Sequence, residues 1–314
     1  MVKIVPLELK TQFAEGTVNS FLVIGESVTL VDTGDPGDKS FQLLKSLLKQ
    51  QGITFKDLDQ IVLTHIHIDH AGGIPLLQQE IDVPIIIHEM AQSSINNSPE
   101  EFQQNEEFYQ EFMAQCGADY GTHIIRRKFK EENWRNIKYV KEGDTIALGG
   151  TPFEIVYVPG HSGCDMLLWD PQTGDALAGD HLLKAFSVNA FIEPPFDGAA
   201  VRPKPLLQYR KSLEKISKLP LKMVYPGHGE PFNNHLALID TRLQEQEKRC
   251  TQILNLLANG EKTIFEICTK MYPQLKGRTV FLGLSQIQGH LDLLETREQV
   301  RSVKQGQLLK YLVK

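Results

Sequence analysis

The arrangement of ligand-type side chains directly after short apolar strands constrains this chain more than any other feature of its sequence. The segment QIVLTHIHIDHAGG, residues 60–73, has an apolar run of strand character, then three histidines and an aspartate, then a Gly-Gly break. This order predicts a buried strand that ends in a loop and continues into a helix. Buried imidazole and carboxylate groups need partners, so four of them in one short loop indicate a bound cation.

The spacing within this loop divides the four side chains into two pairs. His65 and His67 are two residues apart and can reach the same side, whereas Asp69 and His70 lie beyond the strand and should point elsewhere. The spacing therefore predicts two adjacent metal positions. Imidazole and carboxylate ligands together favour zinc, and ligand type alone also allows iron or manganese.

Three later strand patterns end in the same manner. VYVPGH ends at His161, ALAGD ends at Asp180, and MVYPGH ends at His228. A single PGH segment is more often a turn histidine than a metal ligand. Together, however, the three segments supply the further ligands that two metal positions need beyond the four residues of the first loop, each from a rigid strand end.

These motifs resemble those of the metallo-β-lactamase superfamily of hydrolases. The family's HxHxDH motif matches His65 to His70, and its later histidine, aspartate and last histidine match His161, Asp180 and His228. The early VDTG also matches, and its Asp32 corresponds to a residue that usually supports the ligands from behind. The resemblance covers roughly residues 3–235. It implies an α/β fold, a four-layer αββα sandwich with the metals at one edge of the two sheets.

The resemblance also implies a role for each motif residue. One ion would be held by three histidines and the other by an aspartate and two histidines, with Asp69 and Asp180 as the catalytic carboxylates and Asp180 bridging the two ions. A hydroxide shared by two zinc ions would attack the substrate. The implied sets are His65, His67 and His161 for the first ion, and Asp69, His70 and His228 for the second.

Departures from subfamily patterns narrow the substrates. True β-lactamases of the family lack the bridging aspartate, so Asp180 argues against antibiotic hydrolysis. Flavodiiron proteins have Glu in place of the second histidine of the motif, so His67 argues against oxygen or nitric oxide reduction. The favoured function is hydrolysis of a small ester, thioester or lactone. The alternative is a phosphodiesterase or endoribonuclease that uses a C-terminal module to hold RNA. A non-catalytic binding protein is disfavoured because every ligand is present.

Four further residues are candidates for supporting or contacting roles. Asp32 is expected behind the ligands, and His181, which follows Asp180 directly, is expected either behind the ligands or against the substrate. Asn189 and Phe191, shortly after the Asp180 strand, are candidates for the pocket wall. Packing within the core is the alternative for His181.

Composition and length place these motifs in an ordinary globular chain. At 314 residues, a core domain with an appendage is the natural expectation. The N-terminal segment has no apolar signal core and no window approaches a membrane span, which predicts a cytoplasmic protein without membrane contact. The four cysteines are scattered, so reduced thiols are expected, and the net charge of −6 argues against nucleic acid as a partner of the whole surface.

Helix and strand patterns predict two domains. Residues 1–235 are expected to form the catalytic domain, with a helical insertion at about 91–139, and residues 236–314 a winged-helix-like domain of three helices and a hairpin. Residues 261–314 contain nine Lys and Arg against five Asp and Glu. This excess could mark a nucleic-acid surface. We favour a lid or homodimer module instead, because no dense basic cluster accompanies it.

Overall fold

A computed structural model of the chain describes residues 2–13, 16–96, 98–124, 129, 131, 133–195, 199 and 201–314. The chain divides into two compact units. The first comprises Met1–Ile95, Glu132–Val188 and Ser212–Leu238, and the second comprises Asn96–Glu131, Asn189–Lys211 and Ile239–Lys314. Within the predicted insertion at 91–139, residues 97, 125–128, 130 and 132 lie outside the described part. The predicted boundary at residue 235 stays a prediction.

The first unit contains two sheets, and the first of them has six strands in sequential order. Its first two pairings are antiparallel and the remaining three are parallel. The apolar segments NSFLVIG and SVTLVDTG predict two strands of a hairpin, and the structure has this hairpin as the second and third strands, whereas no pattern predicts the first strand. The strands are β1 Lys3–Lys10, β2 Thr17–Ile24, β3 Val28–Val31, β4 Gln60–Val62, β5 Ile85–His88 and β6 Ile137–Val140.

The second sheet of this unit has five strands in the order β11-β10-β9-β8-β7. Its pairings are antiparallel except for β10 and β11, which run parallel. All five strands fall on segments whose apolar patterns predict strands. They are β7 Thr145–Leu148, β8 Thr151–Tyr157, β9 Met166–Trp169, β10 Asp175–Gly179 and β11 Met223–Pro226.

Apolar side chains fill the space between the two sheets and the space on the outer face of the first. Phe21 and Val62 of the first sheet belong to the same buried cluster as Phe153 and Leu168 of the second. A separate buried cluster joins the other face of the first sheet to helices. The helices of this part are α1 Asp38–Gln50, α2 Ile68–Ala71, α3 Ile74–Glu80 and α4 Gln92–Ile95, with single 3₁₀ turns at Phe55–Asp57 and Glu89–Ala91.

A further helix, α7 (Pro205–Ile216), completes the layers, and its residues from Ser212 onward belong to the first unit. Ser212 Oγ donates to the Pro159 carbonyl at 2.9 Å, and Lys215 Nζ donates to the Tyr157 carbonyl at 2.7 Å. These bonds tie the helix to the end of β8. The first unit is thus built of helix, sheet, sheet and helix layers.

The second unit is mostly helical. A capping box between Ser98 and Glu101 begins its helix α5, as the Ser-Pro-Glu-Glu pattern predicts. Arg202 makes a bidentate ion pair with the buried Asp292, at 2.7 and 2.8 Å. Its elements are α5 Pro99–Cys116, α6 Tyr120–His123, most of α8 His235–Leu257, β12 Lys262–Thr263, α9 Ile264–Met271, α10 Thr279–Thr296, β13 Val300–Gln305 and β14 Leu308–Val313.

The C-terminal elements follow the predicted order of three helices and a hairpin. The hairpin strands pair from Val300 with Val313 to Gln305 with Leu308, and β12 adds a third strand along β14. Its description as a winged helix stays a prediction. Among the residues that the structure describes, no helix is long and apolar enough to cross a membrane.

Candidate metal centre

The seven predicted ligands lie together at one edge of the two sheets of the first unit. Each follows the C-terminal end of a strand: the HIHIDH segment follows β4, His161 follows β8, Asp180 follows β10 and His228 follows β11. Six of the seven are buried, and His67 is half-buried. The seven residues of the predicted set thus lie together at this sheet edge, and their role as metal ligands stays a prediction.

The ligand atoms form two outer groups. His65, His67 and His161 make one, with all three ring nitrogens within 4.8 Å of one another. Within it, His67 Nδ1 and His161 Nε2 are 2.8 Å apart. Asp69, His70 and His228 make the other group under the same distance limit, with His228 Nε2 lying 3.5 Å from Asp69 Oδ2.

Asp180 lies between the two groups. Its carboxylate oxygens are 3.3 Å from His70 Nε2, 3.4 Å from His161 Nε2 and 3.3 Å from His228 Nε2. It also forms a third group of ligand atoms with His65 and His70. One carboxylate therefore contacts histidines from both outer groups.

Several buried atoms of the candidate ligands have no hydrogen-bond partner within the described part of the chain. His65 Nε2, His70 Nε2 and Asp180 Oδ1 make no hydrogen bond there, although they are buried. The last two face each other at 3.3 Å without hydrogen-bond geometry. Leaving such atoms unsatisfied costs about 1–3 kcal/mol each. Convergent imidazole and carboxylate atoms that lack partners fit metal ions, which would satisfy them.

Groups behind the ligands fix the orientation of three rings. His70 Nδ1 lies 2.9 Å from Asp32 Oδ2, His228 Nδ1 lies 2.7 Å from the Thr17 carbonyl, and His65 Nδ1 lies 3.1 Å from Thr64 Oγ1. In each ring Nδ1 is engaged on the outer side, so Nε2 faces the centre. Such partners typically set the tautomer of a metal-binding histidine.

Asp32 holds the loop after β4 as well as His70. It accepts hydrogen bonds from the Thr64 backbone N–H and from Thr64 Oγ1, both at 2.8 Å. Its backbone has a φ of 59°, a left-handed conformation that is uncommon outside glycine and is best tolerated by Asn and Asp. The Asp32 carboxylate thus holds both the His70 ring and the loop after β4, and its support of metal ligands stays a prediction.

The electrostatics of the site favour positive charge at its centre. Burial opposes protonation of His228, but Asp180 and Asp69 raise its pKa to about 9. Burial likewise opposes charge on His70, yet Asp180 and Asp32 raise its pKa well above the usual value. Burial favours the neutral acid at Asp180, but His70 and His228 hold its pKa well below the usual range. The carboxylates therefore attract cations, whether protons or metal ions.

The remaining predicted residues are in different places. His181 is fully buried beside Asp180, and burial, followed by the charge of His161, lowers its pKa to about 3. Asn189 and Phe191 belong to the second unit, where Asn189 Nδ2 donates to the Leu282 carbonyl at 3.2 Å. Their assignment to a pocket wall stays a prediction.

The structure identifies site residues that the sequence analysis missed. The Phe186 ring lies 5.7 Å from the His228 ring, centroid to centroid, with the planes tilted by 53°. Thr17 and Asn19, at the start of β2, contact His228 or the loop that carries it. The only sequence signal for Phe186 was an aromatic residue soon after GDH, and Thr17 and Asn19 lie more than 200 residues away from their partners.

An αββα arrangement with His and Asp clusters at the strand ends defines a class, the metal-dependent hydrolases. The family model of the metallo-beta-lactamase superfamily matches residues 14–228. A Bacillus subtilis (strain 168) protein described as a probable metallo-hydrolase is 32% identical over 308 residues, covering 96% of this chain and 95% of that protein. The chain belongs to the metallo-beta-lactamase superfamily.

Two further comparisons bear on fold and chemistry. The crystal structure of a metallo-beta-lactamase family protein from Thermus thermophilus matches with a TM-score of 0.84 at 22% identity, covering 99% of this chain and 98% of that one. An Aspergillus fumigatus protein named atrochrysone carboxyl ACP thioesterase is 23% identical over 248 residues, covering 79% of this chain and 62% of that protein. The predicted fold class and the prediction of a metallo-hydrolase are confirmed.

The charge balance of the site predicts that metal binding displaces protons. Below pH 9 the metal-free His228 carries a proton that a metal ion must remove, and His70 contributes in the same direction. The apparent affinity for Zn²⁺ should therefore rise with pH up to about 9, with release of about one to two protons at pH 7. Calorimetric titration of metal-free protein in two buffers of different ionisation enthalpy measures this number.

A matched variant tests the cause. Asp32→Asn removes one of the charges that raise the pKa of His70 and should reduce the number of protons released. Zinc affinity that is independent of pH between 6 and 8 would contradict the prediction.

Proposed function

We propose that the protein is a binuclear metal-dependent hydrolase of small esters, thioesters or lactones. The observation that carries this proposal is the cluster of seven ligand-type side chains, six of them buried, in which Asp180 contacts histidines of both outer groups. In this proposal one ion is held by three histidines and the second by Asp69 and two histidines. The first set is His65, His67 and His161, and the second is Asp69, His70 and His228.

The ligand chemistry favours zinc over iron and manganese. Bound ions would supply Lewis acidity towards water and towards the acyl carbonyl of the substrate. The chain's own contribution is to hold the ligands in place. Asp32 and the Thr17 carbonyl orient the rings of His70 and His228, and Asp180 and Asp69 supply the negative charge. Because bound ions would supply this chemistry, the proposed reaction requires no Ser or Cys nucleophile.

Apolar side chains next to the ligands support a substrate with an apolar group. Phe186 lies beside His228, and Ile68, between the ligands His67 and Asp69 in the chain, is 47% exposed. A large exposed isoleucine in the ligand loop offers an apolar contact for a ligand at the site. The similarity to a protein named as a thioesterase points in the same direction.

A hydrolysis panel tests the proposal. Zinc-loaded protein should hydrolyse at least one member of a set of thioesters, lactones and aryl esters, and should leave bis-aryl phosphodiesters and short RNA essentially intact. Asp180→Ala should lose at least one metal ion per chain by elemental analysis, and its activity should fall by at least about 100-fold because both ions depend on this carboxylate. Full metal occupancy in that variant would rule out the bridging role.

The role of Phe186 gives a second prediction. Phe186→Ala removes an aromatic surface beside His228 without touching a ligand, so KM for substrates with long acyl chains should rise by about 10-fold. KM for an acetyl substrate should change little, because a short group does not reach the ring. Steady-state kinetics across a chain-length series separates the two, with the acetyl substrate as the internal control. An equal change in KM at every chain length would contradict the proposed contact between Phe186 and the acyl chain.

The C-terminal hairpin offers little support for RNA binding. Lys310 Nζ lies 2.9 Å from Glu261 Oε1, so its charge is already paired. Lys304 lines a groove together with Glu107 and Glu111 of α5. Acidic neighbours repel a phosphate backbone, and we therefore favour a small substrate over a polyanion.

A triple variant decides between the two functions. Replacing Arg301, Lys304 and Lys310 by Gln should leave kcat/KM for a small acyl substrate within about twofold of wild type, because no phosphate is neutralised there. If RNA is the substrate, the same variant should weaken RNA binding strongly. The slope of log affinity against log salt concentration should then become less negative by about 0.7 for each lost phosphate contact. RNA affinity is measured at two salt concentrations alongside the acyl kinetics. Metal-dependent RNA cleavage that the triple variant abolishes would overturn the small-substrate proposal.

A further inference from the structure

Backbone groups of the loop that carries His228 make hydrogen bonds to two neighbouring strands. This loop, Pro226 to Gly229, begins at the end of β11 and contains two glycines. The Gly227 N–H donates to the Gly179 carbonyl at 2.7 Å, which ties the loop to the end of β10 just before Asp180. Three of its carbonyls point the other way, towards β2.

Asn19 of β2 satisfies all three of these carbonyls. Its side-chain Nδ2 donates to the Pro226 carbonyl at 3.0 Å and to the Gly229 carbonyl at 2.7 Å. Its backbone N–H donates to the Gly227 carbonyl at 2.7 Å. Asn19 is 3% exposed, and its bond to the Pro226 carbonyl is buried, where an unsatisfied carbonyl is costly, whereas the bond to the Gly229 carbonyl is partly exposed.

The same strand also fixes the ring that the loop carries. His228 Nδ1 donates to the Thr17 carbonyl at 2.7 Å, and Thr17 is two residues before Asn19 on β2. The opposite ring atom, Nε2, lies 3.3 Å from Asp180 and 3.5 Å from Asp69. One short piece of β2 therefore sets both the backbone position and the ring direction of His228.

We propose that Asn19 is a positioning residue that keeps His228 aligned for metal binding by holding the Pro226–Gly229 loop. Only an amide side chain of this length donates from one nitrogen to two carbonyls that flank the histidine. An aspartate would place an oxygen against both carbonyls and repel them. The inference rests on the proposed role of His228 as a metal ligand.

The test measures Zn²⁺ affinity rather than activity. Metal-free wild type, Asn19→Ala and Asn19→Asp are titrated with Zn²⁺ against a chromophoric chelator, which resolves tight and weak sites. Loss of an outer partner of a metal ligand typically costs 10–100-fold in affinity. We expect both variants to lose about 10–100-fold for one ion and to bind the other within about threefold of wild type.

Two reference variants give this result its meaning. Ser20→Ala is the matched control, because Ser20 is the next residue on β2, is equally buried, and its hydroxyl makes no hydrogen bond within the described residues. It should bind both ions as wild type does. His228→Ala should weaken the same ion as the Asn19 variants, and more strongly. If His228→Ala binds both ions normally, the ligand role of His228 fails, whatever the Asn19 variants show.

Thermal unfolding of each metal-free variant, followed by circular dichroism, shows whether it folds. Should Asn19→Ala not fold, Asn19→Ser, which keeps one donor, takes its place and should lose less affinity. Folded Asn19 variants that bind both ions with wild-type affinity would overturn the positioning role. An equal loss at both sites would do so as well, because it would indicate general loosening of the fold.

Discussion

The buried carboxylate of Asp180 is the group around which the metal centre is organised. It lies within 3.4 Å of ring nitrogens from His70, His161 and His228. A buried carboxylate is stable only when positive charge and hydrogen-bond donors surround it. His70 and His228 can meet this demand as protonated rings, and all three histidines can do so as ligands of a cation. Either state draws the strand ends together, so the same charge that prepares the site for metal also stabilises the edge of the two sheets.

Parallel strand pairing brings the supporting groups to this edge. β3 and β4 run parallel, so Asp32 and Thr64, each just beyond the end of its strand, lie side by side. The Asp32 N–H donates to the Val62 carbonyl, and the Thr64 N–H returns a bond to the Asp32 carboxylate. β10 and β11 repeat this arrangement with Gly179 and Gly227. Hydrogen bonds of the backbone thus set the distances between ligands before any side chain is considered.

Local patterns predicted most strands of the first unit and selected seven His and Asp residues that the structure brings together, because each apolar strand is followed directly by ligand-type side chains. The capping box of α5 was equally readable from Ser98 and Glu101. Strand β1 was not predicted, although it pairs with β2 along its full length. The role of Asn19 could not be predicted either, since its partners are about 210 residues away and an asparagine within an apolar strand has no local meaning. The second unit draws on three separate segments, which no periodicity within one segment reveals.

The glycines before Asp180 and His228 show how closely the backbone approaches the candidate site. A Cβ atom on Gly227 would lie 2.3 Å from Asp180 Oδ1 and 2.8 Å from the His70 ring, distances that no relaxed structure allows. A Cβ on Gly179 would meet the Thr64 side chain at 2.7 Å, and its φ is +48°. Gly227 is therefore required by space alone, whereas Gly179 is required by space and by conformation. Because a side chain at either position would displace Asp180 or Thr64, the glycines of the PGH and GD motifs are required by the close approach of the backbone to the candidate site.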